Sequence, residues 1–91
     1  MRYALAKVYV ARQDRLIETY GDAVWECACD QLMRNMPFKA SDLTAAACIS
    51  HLAPRTRLDI CKVTLANVIA EYKDNPEDCP VKRIANHYIL T

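Results

Sequence analysis

Five cysteines and two histidines are the side chains in this chain most suited to chemistry: Cys27, Cys29, Cys48, Cys61, Cys79, His51 and His87. A structural zinc site needs four such ligands, and sequence-local pairs usually supply them at C-x-x-C spacing. That spacing does not occur, and Cys27-x-Cys29 on a helix puts its two sulfurs on nearly opposite sides. The odd number and the Ala-rich helical surroundings predict reduced thiols that pack as small hydrophobes, with no metal and no other cofactor. Hydrolytic chemistry fares no better. Ser41, Ser50, His51 and His87 are present, but no nucleophile motif surrounds them. Cys48 and His51 stand three apart at a helix end, where a buried thiol and a surface imidazole are the ordinary account. A chain with one glycine, Gly21, cannot build a glycine-rich phosphate loop. The expectation is a protein that is not an enzyme.

A second set of residues suits a different chemistry. Arg55, Thr56, Arg57, Lys62 and Asn67 fall within one helical stretch, and Lys82 and Arg83 within a short strand. Lys and Arg neutralise phosphates, Arg also reads guanine with two parallel bonds, and Thr and Asn add hydrogen bonds. Pro54 suits the first turn of a helix. It therefore sets Arg55 and Arg57 at a helix N-terminus, where the dipole attracts phosphate. The net charge of the chain is only +1. It is unevenly spread: residues 1–33 hold four basic and five acidic groups, and residues 34–91 hold eight and six.

The elements that must carry these residues follow from hydrophobic spacing. Ninety-one residues make one domain, more than half hydrophobic, and the scarcity of glycine favours helices over a sandwich or barrel. In residues 2–20, Leu5, Val8, Tyr9, Leu16 and Tyr20 share a helical face. Residues 3–10 also alternate like a strand, but the clear helical pattern that follows favours helix throughout. Gly21 reads as the left-handed residue that ends this helix. Asp22 then caps a helix over 23–35, with Trp25, Cys29, Leu32, Met33 and Met36 inward and Asp22, Glu26 and Asp30 in a solvated acidic stripe. Residues 37–40 are extended. Ser41 caps a short helix with Asp42 in its first turn and Leu43, Ala46, Ala47 and Ile49 on its apolar face. Residues 50–54 break the pattern. In the longer helix that follows, Leu58, Cys61, Leu65, Val68, Ile69 and Tyr72 face the core, while Ile60 and Val63 lie off that stripe and suit a second partner. After the polar connection 73–80, strands 81–84 and 88–90 flank an Asn86-His87 turn.

This order is that of a winged-helix domain: helix, short extended piece, helix, turn, helix, hairpin. The segment Phe-Lys-Ala-Ser-Asp-Leu-Thr-Ala-Ala-Ala-Cys-Ile resembles the second helix of small bacterial regulators of that class. With Trp25 and the Val81-Lys82-Arg83 strand, about two thirds of the chain is similar to the CaiF/GrlA-type transcriptional regulators. The resemblance implies a mainly α fold, a helix-turn-helix with a short C-terminal β-hairpin wing and an extra N-terminal helix. The single domain 1–91 divides into an N-terminal helix at 1–20, a three-helix core at 22–73 and a wing at 80–91. It implies a transcriptional regulator that binds double-stranded DNA through Arg55, Thr56, Arg57, Lys62, Asn67, Lys82 and Arg83, as a homodimer paired through residues 2–20. The alternative is a protein-interaction module, or an inhibitor of a host protein, on the same scaffold. The small size suits a phage or plasmid product. No apolar run is long enough to span a membrane, and the N-terminus lacks the order of a signal peptide, so the expected location is cytoplasmic.

Overall fold

The computed structural model describes the backbone of residues 2–91 and the side chains of residues 15–91. The molecule is mainly helical, with a small antiparallel hairpin at its C-terminal end. Helix α1 is Arg2–Met33 and helix α2 is Pro54–Glu71. Between them lie two 3₁₀ turns, η1 at Ala40–Leu43 and η2 at Ala47–Ile49. A third, η3 at Pro76–Asp78, leads into strands β1, Val81–Ile84, and β2, His87–Leu90.

Helix α1 runs straight through Gly21, which corrects the expectation of two helices divided there. Asp22 accordingly caps nothing. Gly21 does not have a positive φ. Its role is close approach: an added Cβ would stand 3.3 Å from Ile17 Cγ2 and 3.9 Å from Thr64 Oγ1. A mid-helix glycine costs about 1 kcal/mol relative to alanine, and here it lies buried where α1 crosses α2. The left-handed terminus falls instead at Asn35, with φ 57°, whose N–H donates to Leu32 O at 2.9 Å. Asn is the residue other than glycine that tolerates this conformation best.

Ser41 does not cap an α-helix over 41–49. The Lys39 N–H donates to Asp42 Oδ2 at 2.8 Å, so Asp42 closes the first turn. The Thr44 hydroxyl donates to Ser41 O at 2.7 Å and the Ser50 hydroxyl to Ala47 O at 2.9 Å. Such short side-chain bonds compete with the α-helical ladder, and the segment breaks into two tight turns.

In α1, Val24, Ala28 and Leu32 are buried at a four-residue spacing. Met33 and Met36, expected inward, are 81 % and 64 % exposed. Ile60, expected off the core stripe of α2, is buried together with Cys61, Thr64 and Leu65. The reason is that α2 is covered from two directions, by α1 on one side and by η1 and β1 on another. Phe38, Ala40, Leu43, Ile49, Cys79, Val81 and Tyr88 complete the core.

The hairpin pairs Val81 with Leu90, Lys82 with Ile89, Arg83 with Tyr88 and Ile84 with His87. Its turn is Ala85-Asn86, one residue earlier than expected, and Ala85 takes φ 55°. A positive φ at the first turn residue alone is the II′ pattern, which glycine normally supplies. Across β2 the extended piece adds a single bridge, Phe38 to Tyr88. β2 is thereby the middle of three extended segments. Among the described residues, no helix is long and apolar enough to cross a membrane.

Candidate nucleic-acid interface

Helical spacing puts Arg55 and Lys62, seven residues apart, on one side of α2, and both are exposed. Facing Lys62 is a groove of about 750 Å³ between α2 and the hairpin. Its floor is apolar, with Leu58, Val63, Ile69 and Tyr88. Its charged lining residues are Lys39, Lys62 and Arg83, with no carboxylate among them. Strand alternation brings Arg83 there: it stands opposite buried Tyr88 and so shares the face of β1 that looks toward α2. Its Nε donates to Ala85 O at 3.0 Å, which holds the guanidinium near the hairpin tip. Lys82, one residue earlier, lies on the opposite face of the hairpin, exposed and outside this groove.

Of the seven expected residues only Lys62 and Arg83 line the groove; Arg55, Thr56, Arg57, Asn67 and Lys82 do not. Thr56 is half-buried and does not line the groove. Arg57 is also half-buried; its Nη1 donates to Thr44 O at 3.3 Å, and its Nε is enclosed without a partner. It ties the first turn of α2 to the connection between η1 and η2. Asn67 lines a separate depression on the other side of α2, beside Trp25 and Glu71. Lys39 is the residue that sequence reasoning missed. It follows Phe38, whose pairing with the hairpin carries it to the groove, and no sequence-local signal announces that pairing.

The thiols take no part in this surface. Burial pushes Cys61 up to about 11, with the nearby Cys48 and Cys27 adding to it. Burial also raises Cys27, helped by Cys48, Asp30 and Glu26, and raises Cys29, helped by Asp30 and Glu26. The buried Cys79 thiol donates to Val81 O at 3.0 Å. Among the described residues, no group of three or more His, Cys, Asp or Glu side chains has an arrangement that holds a metal ion. The His51 imidazole is engaged by a different partner from Cys48: Tyr20 Oη lies 2.9 Å from its Nε2.

Comparisons with protein-family models, with curated proteins and with solved structures give no match.

Proposed function

We propose that the chain is a small winged-helix regulator that binds double-stranded DNA, with α2 as the helix that meets the duplex and the hairpin as its wing. The observation that carries this reading is the groove whose charged lining, among the described residues, is Lys39, Lys62 and Arg83. Three cations with no carboxylate among them suit a phosphate backbone, and Arg55 extends the same side of α2 toward its N-terminus. The antiparallel bridge from Phe38 to the hairpin supports the winged-helix reading, because it joins the extended piece before η1 to the hairpin. In this reading Arg55 reads base edges or phosphate, Lys39, Lys62 and Arg83 hold the backbone, and Lys82 adds charge from the outer face of the wing. Arg57 positions the first turn of α2. Thr56 and Asn67 lie off the groove and contribute little.

In this proposal the protein acts as a cytoplasmic homodimer paired through residues 2–20 of α1. Of the side chains expected to make that contact, Leu5, Val8 and Tyr9 lie outside the described residues, whereas Leu16 and Tyr20 are half-buried against the chain's own core. Light scattering at working concentration distinguishes monomer from dimer. The test of DNA binding is a fluorescence anisotropy titration against mixed duplex fragments at two salt concentrations. The expected result is binding that weakens steeply with salt; no binding at low salt overturns the proposal.

A second reading is a protein-docking module. The exposed side chains of Met33 and Met36 at the end of α1 favour it, since methionine suits adaptable contact surfaces. Ile60 cannot contribute, being buried. A hydrophobic docking contact would barely respond to salt, and the same titration separates the two readings.

A further inference from the structure

On the other side of α2 from the cationic groove, a depression of about 310 Å³ opens between α1 and α2. Helical spacing assembles it: Thr64, Asn67 and Glu71 share one face of α2, and Asp22 and Trp25 share one face of α1. Tyr72 adds a second aromatic ring. Asp22 and Glu71 are exposed, and among the described residues neither is held in an ion pair. Among the described residues the lining therefore carries two carboxylates and no cation.

Its floor holds an unsatisfied group. Thr64 is 5 % exposed, and its Oγ1 has no hydrogen-bond partner. Gly21 lies opposite and lines the same depression, where an added Cβ would stand 3.9 Å from that hydroxyl and 3.3 Å from the Ile17 side chain. A buried hydroxyl without a partner carries a desolvation cost that an N–H donor relieves. Ring faces attract cations, and the carboxylates supply the counter-charge.

We propose that this depression binds a primary alkylammonium group. Asp22 and Glu71 neutralise the charge, Trp25 and Tyr72 flank the cation and its methylene chain, and Thr64 Oγ1 accepts an ammonium N–H. Asn67 Oδ1 accepts a second. The demand for N–H donors selects a primary ammonium over a quaternary one. The site is independent of DNA binding, because it uses the other face of α2. The ammonium belongs either to a free diamine or to a lysine side chain of a partner protein.

Trp25 is the one tryptophan in the chain, so its emission reports on the site directly. The experiment titrates the full chain with n-butylammonium, tetramethylammonium and n-butanol at low salt. A saturable change in Trp25 emission is expected with butylammonium, a weaker one with tetramethylammonium and none with butanol. The Asp22→Asn/Glu71→Gln double variant should bind butylammonium about fivefold more weakly, as the loss of exposed charge pairs implies. Thr64→Val keeps the side-chain shape and should also weaken binding. Circular dichroism confirms that each variant is folded. Putrescine and Nα-acetyl-lysine amide then separate the two sources, the tighter ligand naming the one the site serves. If butanol acts as strongly as butylammonium, or if the folded double variant binds butylammonium as well as the parent, the proposal is overturned.

Discussion

Phe38 and Tyr88 form a closed antiparallel pair. The Phe38 N–H donates to Tyr88 O at 3.1 Å and the Tyr88 N–H to Phe38 O at 2.7 Å. Their rings stack 5.8 Å apart at 28°. Because Tyr88 also stands opposite Arg83, the three residues form one row across the extended segments. That row brings Lys39 and Arg83 to the same groove, although they are far apart in the chain.

Tyr88→Ala should cost about 3–5 kcal/mol of unfolding free energy, the usual effect of removing a buried aromatic ring. Tyr88→Phe keeps the ring and both backbone bonds and should cost much less. Urea unfolding of the two variants measures the difference. A tolerated Tyr88→Ala would mean that the hairpin does not depend on the stacked pair.

Gly21→Ala separates a glycine that ends a helix from one that lets two helices approach. In the continuous α1, alanine removes the glycine penalty, and the half-buried Ile17 side chain must yield by a few tenths of an ångström. Stability should rise, by about 0.5–1 kcal/mol at most. A left-handed C-terminal glycine would respond with the opposite sign, and chemical denaturation reads that sign.

Ala85 gives the complementary case. Its φ of 55° is left-handed, which costs a residue with a Cβ about 1–2 kcal/mol. Ala85→Gly should recover part of that and raise the urea midpoint without moving the rest of the chain. An unchanged midpoint would mean that the strain is absent.

The same residues show how far the sequence could be read. The mainly helical fold, the start of α2 at Pro54 and both hairpin strands were legible, because proline placement and two-residue alternation are local signals. What was illegible depends on distant partners. One glycine reads as a stop until Thr64 is seen beside it. Ser41 reads as a cap until the Asp42 carboxylate takes the Lys39 N–H. Met33 and Met36 read as core by their type, yet α1 has no partner on their side among the described residues. Of the candidate site, Arg55, Lys62 and Arg83 were legible as exposed cations. Lys39 was not, nor was the bond from Arg57 to the Thr44 carbonyl, which is supplied by another segment.

Burial makes the Cys61 thiol a source of alkaline sensitivity. Its folded value of about 11 lies above the ordinary 9.0, so the folded chain holds that proton more tightly than the unfolded chain does. The resulting stabilisation is fully present below pH 9 and is lost as pH rises from 9 toward 11. It amounts to on the order of 2 kcal/mol. Tyrosines and lysines titrate in the same range, so the informative quantity is the difference between parent and Cys61→Ala in the slope of stability against pH. The parent should lose stability more steeply between pH 9 and 10.5. Parallel slopes would mean that Cys61 is not shielded.

The groove cations provide the final prediction, and they separate contact residues from positioning ones. If Lys39, Lys62 and Arg83 meet phosphates, replacing any one with Ala should weaken binding to all duplexes alike and reduce the salt slope by about one counterion. Arg55→Ala should instead cost about 1–3 kcal/mol and relax sequence preference if the side chain makes a bidentate base contact. Arg57→Ala should behave differently from both. It removes the bond to Thr44 O and a packed aliphatic stem, so it should lower unfolding free energy by about 1 kcal/mol. Its effect on DNA should follow from looser placement of α2, with the salt slope unchanged. Glu26→Ala with Asp30→Ala, on the exposed acidic side of α1, should leave affinity unchanged or slightly raised. The measurement is anisotropy at several salt concentrations, paired with urea unfolding of each variant. If the Lys62 and Arg83 variants keep the parent's salt slope, the groove is not a phosphate surface. The exposed Met33 and Met36 then become the place to seek a protein partner.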